Sequence, residues 1–173
     1  MFILSVIVAV AGYVLFSLGM YEIATNRGIH NSWIAWIPVA RKWMLGCISD
    51  QYQFVQRNTR TRRRAALVVL PVLEAVLAVV SFFLGIFRLI LSMENGGSLG
   101  TAAWIIMAVL ALVRLLSFIL ETVAVYDLHR SCNPDNAKLH LVLGIFIPCF
   151  RAVVIFLERN LELGMPPRKV QTE

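Results

Sequence analysis

Long blocks of apolar residues, separated by short polar stretches, dominate the chain. Three of these blocks, residues 2–24, 65–91 and 101–126, reach the roughly 20 residues that a helix needs to cross about 30 Å of hydrocarbon. Their apolar residues are continuous and lack the amphipathic period of a helix on the surface of a soluble domain. The pattern predicts an all-α integral membrane protein, in which residues 1–173 form a single membrane domain with three spanning helices.

Two further apolar segments, residues 31–49 and 136–157, share one sequence pattern and look like a short internal repeat. Each has an Ile-Pro pair near its middle and an arginine three residues after the proline: Pro38 with Arg41, and Pro148 with Arg151. A proline inside a helix removes a backbone donor and clashes with the preceding turn, which favours a bent hairpin over a straight span. We expect both segments to be re-entrant or interfacial, and the second is also long enough for a fourth span.

Basic residues concentrate between the first and second predicted spans, where eight of the sixteen Lys and Arg lie between Arg27 and Arg64. Short loops rich in Lys and Arg stay on the cytoplasmic side of a membrane. We therefore expect a basic cytoplasmic loop over residues 50–64, an outside N-terminus and a cytoplasmic tail over residues 158–173. Five arginines of the loop would lock this topology or bind anionic lipid headgroups: Arg57, Arg60, Arg62, Arg63 and Arg64.

Polar residues inside the spans are the candidates for function, because a charge in hydrocarbon is costly and faces a partner or water. Counted at 1.5 Å per residue from the inner edge, Glu74 lies about 15 Å deep and Arg114 about 18 Å deep, which predicts an ion pair. The simplest role of these side chains is to join helices, and Glu121 is a candidate proton relay in a transporter. The full set lies on two stripes that we expect to face each other: Glu74, Ser81 and Arg88, and Arg114, Ser117 and Glu121.

Signals for other kinds of protein are weak. The pI of about 9.7 would suit nucleic-acid binding, but the basic residues flank apolar segments and lack an interleaved aromatic platform, so we expect no nucleic acid. Asp127, His129 and Cys132 cluster near the end of the third span, yet a metal site there would need a further ligand such as His30 or Cys47. We therefore expect no metal, no cofactor and no catalytic residue.

Two blocks of sequence carry a resemblance. The first joins residues 27–38 to residues 48–53, and the second joins residues 132–136 to residues 159–168. They resemble a family of small uncharacterised polytopic membrane proteins of Gram-positive bacteria, and together they cover about half of the chain by the span of the motifs. The resemblance implies a bacterial cytoplasmic membrane and no activity. Arg41, with the lysine after it, departs from the small or amide residue expected there.

The sequence alone thus favours a function that does not involve catalysis. We expect a non-enzymatic interaction or scaffold component of the membrane that forms a homo-oligomer or binds a membrane-protein partner. The alternative is a small transporter or channel subunit that uses the intramembrane charges. A membrane-embedded enzyme is the third hypothesis.

Overall fold

The computed structural model describes residues 2–91 and 99–166, and over these residues the chain is helical without β-strands. Three of its segments, Ile3–Asn26, Arg63–Ile86 and Trp104–Cys132, are long and apolar enough to cross a membrane. The predicted all-α fold with three membrane-spanning helices is therefore confirmed. The described helices are α1 (Phe2–Asn26), α2 (Ala40–Arg57), α3 (Arg63–Leu91), α4 (Leu99–Cys132), α5 (Ala137–Phe146) and α6 (Pro148–Leu157), with 3-10 turns at Ser32–Trp36 and Glu158–Asn160.

Helices α3 and α4 pack against each other, and both extend beyond the spans predicted for them. The carboxylate of Asp50 accepts hydrogen bonds from the backbone N–H groups of Arg63 (3.0 Å) and Arg64 (3.3 Å), and so caps the start of α3. Helix α4 continues past residue 126 and ends at Cys132, just before Pro134, which cannot continue a helix. The residues that connect α3 and α4, 92–98, lie outside the described part of the chain.

The ends of α1 and α4 meet the start of α3 at one end of the bundle, which we call the basic end. Arg27 follows α1 and its Nη2 donates to the hydroxyl of Ser131 at 2.8 Å, while the Arg63 guanidinium contacts Asp127 of α4. The fully buried core lies here as well, so tertiary packing is densest next to the basic residues. Its largest members are Met20, Ile23, Met44, Leu45, Ile48, Leu128 and Ile155.

After α1 the chain turns back along the helix that it has just left. Gly28 and Asn31 have positive φ angles of 66° and 62°, the left-handed conformation that Gly and Asn adopt most readily. The following 3-10 turn then runs beside α1 until the hydroxyl of Tyr13 donates to the carbonyl oxygen of Trp36. Tyr13 lies about 20 Å along α1 from Asn26, so this stretch reaches the middle of the bundle.

Helix α2 returns from that depth to the basic end. Its first turn places Arg41 against the ring of Tyr13, and near its middle Gln51 Nε2 donates to the carbonyl oxygen of Arg27 at 3.3 Å. Residues 27–57 therefore form a hairpin with its bend around Pro38, and we call it the first hairpin. Gly46 permits close packing with α3, because a Cβ at this position would lie 2.3 Å from Arg64 Cα.

Helices α5 and α6 form a second hairpin, residues 137–157, with its bend at Pro148. His140 Nδ1 lies 2.7 Å from Glu158 Oε1, whereas a continuous helix would separate these residues by about 27 Å. A Cβ on Gly144 would lie 3.3 Å from Arg151 Cβ, so the two helices contact each other directly. This segment folds back on itself and does not form a straight fourth span.

The second hairpin packs against α1 through α6. A Cβ on Gly19 would lie only 2.9 Å from the carbonyl oxygen of Ile155, so the absence of a side chain lets the two helices approach. Arg159 Nε pairs with Glu22 Oε2 at 2.6 Å just beyond the end of α6. Arg151 lies beside Phe16 of α1, and the bends of both hairpins therefore lie at the same level of α1.

Two predicted polar segments turn out to be ordered parts of the fold. The predicted loop over residues 50–64 is helical as far as Arg57, because α2 buries at least two adjacent residues in each of three successive turns, the last pair being Tyr52 and Gln53. The described part of the predicted tail, residues 158–166, packs against the end of α4, where the backbone N–H groups of Leu163 and Gly164 donate to the carbonyl oxygens of Cys132 and Ser131. The last carbonyl groups of a helix lack hydrogen-bond donors within the helix. The backbone N–H groups of residues 163 and 164 are the donors at the end of α4.

Candidate functional site

A cavity of about 950 Å³ lies between α1, the two hairpins and α4. Most of its wall is apolar and extends from Leu4, near the start of α1, towards the basic end. Four charged side chains interrupt the apolar wall at the level of the two bends: Arg41, Lys42, Glu121 and Arg151. The cavity therefore holds three cations and one carboxylate, and it has an excess of positive charge.

Glu121 joins the two hairpins. Its Oε2 lies 3.0 Å from Lys42 Nζ in the first hairpin, and its Oε1 lies 3.0 Å from Arg151 Nη2 in the second. Each carboxylate oxygen thus contacts a cation from a different hairpin, an arrangement that fixes both hairpins to α4. The bond from Arg151 is also a charge-assisted hydrogen bond, the stronger class of such bonds.

Arg41 is held by aromatic rings. Its Cζ lies 5.5 Å from the ring centroid of Tyr13 and 5.1 Å from that of Phe16. Arg151 contacts the same Phe16 ring at 5.5 Å, so the two arginines that follow the two prolines meet at one aromatic side chain. Among the described residues no carboxylate forms a salt bridge with Arg41.

The depth of these cations is unusual. Tyr13 and Phe16 lie near the middle of the segment Ile3–Asn26, which is long and apolar enough to span a membrane. Charges at that depth are costly and characteristically face a partner or a water-filled cavity. Arg41 and Arg151 reach this depth because both hairpins bend there, and the cavity is the space that they face.

Two histidines line the cavity nearer the basic end. His129 Nδ1 lies 2.6 Å from Glu158 Oε2, and His140 Nδ1 lies 2.7 Å from Glu158 Oε1. The two rings meet edge to face with centroids 5.8 Å apart. Glu158 begins the 3-10 turn after α6, so α4, α5 and the end of the second hairpin each supply one member of the cluster.

A separate buried network at the basic end ties α2 and α3 to α4. Asp127 accepts hydrogen bonds from the hydroxyl of Ser49 at 2.8 Å and from Gln53 Nε2 at 3.0 Å, and it also contacts the Arg63 guanidinium. The donors and acceptors of this network bond to one another within the protein, as expected of a network that stabilises the fold. Asp127 therefore does not join His129 and Cys132 in the cluster that the sequence suggested.

The five arginines predicted to contact lipid headgroups or lock the topology divide into two groups. Arg63 is partly buried against Asp127, and Arg64 stacks on the ring of Trp43 with Cζ 5.6 Å from its centroid. These two arginines help to hold α2, α3 and α4 together. The other three are exposed and remain available for headgroups: Arg57, Arg60 and Arg62.

The predicted pair between Glu74 and Arg114 is present, with Arg114 Nε 2.6 Å from Glu74 Oε1. Among the described contacts, Ser81 and Glu121 do not bond across this pair of helices. Ser81 donates back to the carbonyl oxygen of Leu77 on its own helix, and Glu121 contacts the hairpins. Helix α4 has α3 as its neighbour at Arg114 but the hairpins at Glu121, so the partner of one face changes along the helix.

Ser117 and Arg88 are the remaining members of the stripes. Ser117 is buried, and its hydroxyl has no hydrogen-bond partner among the described residues. The side chain of Arg88 lies outside the described residues.

The sequence did not reveal the cavity residues as a set. The repeated spacing from proline to arginine singled out Arg41 and Arg151, but it indicated only a repeat. Nothing local connects Lys42 to Glu121 or His140 to Glu158, because folding back of the chain produces these contacts. No protein family, no curated protein and no solved structure matches this chain.

Proposed function

We propose that this protein is a non-enzymatic membrane component that binds an anionic amphiphile, a molecule with a phosphate or carboxylate head and an apolar chain, between its two hairpins. The observation that carries the proposal is Arg41. It lies at mid-depth against Tyr13 and Phe16 in a cavity with excess positive charge, and no described carboxylate neutralises it. A guanidinium offers several donors to phosphate or carboxylate oxygens.

The shape of the cavity supports an amphiphile over a small free anion. Its volume of about 950 Å³ is at the upper end of the usual range for small-molecule sites, about 300–1,000 Å³. The wall continues from Phe16 to Leu4 over about 18 Å of helix. This part of the wall is mostly apolar, with Ser5 and the hydroxyl of Tyr13 as its polar groups, and it matches a hydrocarbon chain, while Arg41 and Arg151 match the anionic head.

The functions expected from the sequence, namely a scaffold component, a transporter or channel subunit, or a membrane-embedded enzyme, stay open as proposals. A scaffold role would involve a homo-oligomer or a membrane-protein partner, and crosslinking in native membranes followed by mass spectrometry would identify either one. A transporter would need a carboxylate that works as a relay. Glu121 instead bridges Lys42 and Arg151, and this fixed role favours binding over transport.

The location follows from the three apolar helices and the basic end. We propose a multi-pass protein in a bacterial cytoplasmic membrane, with the basic end in the cytoplasm and the N-terminus outside. The exposed arginines Arg57, Arg60 and Arg62 would then contact anionic headgroups. The re-entrant placement of both hairpins within the bilayer belongs to the same proposal.

Binding of a labelled lipid tests the function. Purified protein in neutral detergent is titrated with pyrene-labelled phosphatidic acid or pyrene-labelled phosphatidylcholine, and energy transfer from tryptophan reports binding. A hydrogen bond to a charged group contributes about 1.5–3 kcal/mol. The variants R41Q and R151Q should therefore bind phosphatidic acid about tenfold or more weakly.

The variant R130Q is the matched control, because Arg130 is an exposed arginine near the end of α4 and does not line the cavity. It should bind like the wild type. Inorganic phosphate should not displace the probe, because it lacks the apolar chain. Equal binding of the two lipids, or equal losses in R130Q and R41Q, would contradict the proposal. Displacement by phosphate would show that a free anion is the ligand.

A further inference from the structure

The cluster of His129, His140 and Glu158 contains a carboxylate whose charge is not balanced by any Lys or Arg among the described residues. Glu158 is 2 % exposed, and its two oxygens contact only the two imidazoles. Buried charges in proteins are paired or coordinate a metal ion. Two neutral imidazoles supply hydrogen bonds but no positive charge, so this site needs either a protonated histidine or a bound cation.

The donor set distinguishes which cations would suit the site. One nitrogen from each imidazole and one carboxylate oxygen form a His2Glu set, and the three donor atoms lie within 4.8 Å of one another. Three protein ligands of this kind bind Zn²⁺ tetrahedrally and leave the fourth position for water or a substrate. Imidazole nitrogen favours a transition metal such as Zn²⁺ over Mg²⁺ or Ca²⁺, which prefer oxygen donors.

The present contacts are close to what coordination requires. The two Nδ1 atoms lie 2.6 and 2.7 Å from the carboxylate oxygens. Zinc bonds of about 2.0–2.1 Å at tetrahedral angles would separate the donors by about 3.4 Å. An opening of less than about 1 Å would therefore admit the ion, and each neutral imidazole would then carry its single ring proton on Nε2, so that Nδ1 is free to bind the metal.

Burial and access are both suitable. The side chain of His129 is fully buried and its Nε2 has no hydrogen-bond partner among the described residues, while that of His140 is 19 % exposed. Both histidines line the cavity, so an ion could enter from that side and keep its open position towards the cavity. We propose that His129, His140 and Glu158 form a binding site for a divalent transition-metal ion, with Zn²⁺ as the first choice.

A cobalt titration tests this site independently of lipid binding. Full-length wild-type protein in detergent is stripped with EDTA, dialysed and titrated with Co²⁺, whose visible absorption reports tetrahedral coordination. We expect one Co²⁺ per chain and its displacement by Zn²⁺. Loss of an outer-shell partner alone lowers metal affinity about 10–100-fold, so the variant H140Q, which lacks a direct ligand, should bind at least about tenfold more weakly.

The variant H30Q is the matched control, because His30 is exposed and is not a member of the cluster. It should bind Co²⁺ like the wild type. Zn²⁺ should also raise the unfolding temperature of the wild type and of H30Q, but not that of H140Q. Two results would overturn the proposal. The first is wild-type protein that shows no tetrahedral Co²⁺ spectrum, which would leave a protonated histidine to balance Glu158. The second is an H140Q variant that binds Co²⁺ with wild-type affinity. The first result comes from unmodified protein, so it does not depend on whether a variant folds.

Discussion

The charged side chains that the structure describes near the middle of the apolar helices each have a contact that explains their presence there. Glu74 pairs with Arg114 between α3 and α4, and Glu121 bridges Lys42 and Arg151 between the hairpins. These pairs give the helices a fixed register in a solvent that offers little hydrophobic drive between them. Arg41 differs because aromatic rings take the place of a carboxylate.

The pair between Glu74 and Arg114 leads to a prediction about stability. The variant E74Q or R114Q leaves the other charge unpaired in hydrocarbon, which costs about 2.5–3.5 kcal/mol at the centre of a helix on insertion scales. We expect each single variant to lower the folded yield in membranes and the double variant to recover much of it, because neither charge then needs a partner. Size-exclusion profiles after detergent extraction measure the folded fraction.

The coupling in this double-mutant cycle is the decisive quantity. Losses that simply add would show that the two side chains do not meet in the membrane. The side chain of Arg114 is 72 % exposed in the single chain, so it faces lipid or a partner. An oligomer that covers this arginine would fit the expectation of a homo-oligomer, and the same extraction profiles would report its size.

At the scale of elements, the hairpins depend on glycines where helices approach. Gly46 lies against the start of α3, and a Cβ at this position would lie only 2.3 Å from Arg64 Cα. Gly19 plays the same part between α1 and α6, with Ile155 on the other side. Backbone atoms cannot move aside as a flexible side chain can, so these two positions determine how closely the hairpins pack.

The contact at Gly46 predicts the effect of a single methyl group. The variant G46A forces α2 away from α3, and overpacking of this kind costs about 1–3 kcal/mol. The variant G85A is the control, because no atom of the described residues lies within 4 Å of a Cβ there, and alanine favours a helix over glycine by about 1 kcal/mol. Thermal unfolding in detergent should show a lower midpoint for G46A and an unchanged or higher one for G85A.

A midpoint for G46A at or above that of the wild type would mean that α2 does not pack on α3 as described. The comparison with G85A separates this local contact from the general effect of alanine on helix stability, since both glycines lie within α-helices.

For the whole molecule, the three long helices and the two hairpins leave one end of the bundle rich in arginine. The ends of α1 and α4, the start of α3 and the end of the second hairpin all lie at this basic end. In the proposed re-entrant arrangement neither hairpin adds a crossing, and three spans would place the two ends of the chain on opposite sides of the membrane.

Reporter fusions test this arrangement. A cytoplasmic reporter placed after Arg64 and another placed after Glu173 should both be active, because Lys and Arg at these positions resist export. A reporter that works only outside should be active when fused ahead of α1. An active fusion at Arg64 together with an inactive one at Glu173 would show a fourth crossing and contradict the second hairpin.

Local physics was enough for the parts of this fold that the sequence predicted. A helix that crosses hydrocarbon must be continuous and apolar, because its backbone groups can form hydrogen bonds only with one another. The three long apolar helices could therefore be predicted from the distribution of apolar residues along the chain. Pro38 and Pro148 mark the bends of their segments, whereas Pro71 lies inside α3 without ending that helix. The depths of Glu74 and Arg114 followed from counting residues along two adjacent helices.

Only the tertiary structure decided the candidate sites. Arg41 and Lys42 are separated by more than a hundred residues from Arg151, and they meet because turns at Gly28 and Asn31 and close packing at Gly19 lay both hairpins along α1. The sequence therefore determined that the chain spans a membrane and where it bends. Which charged and histidine side chains converge depended on packing between distant segments, and no local pattern encodes that.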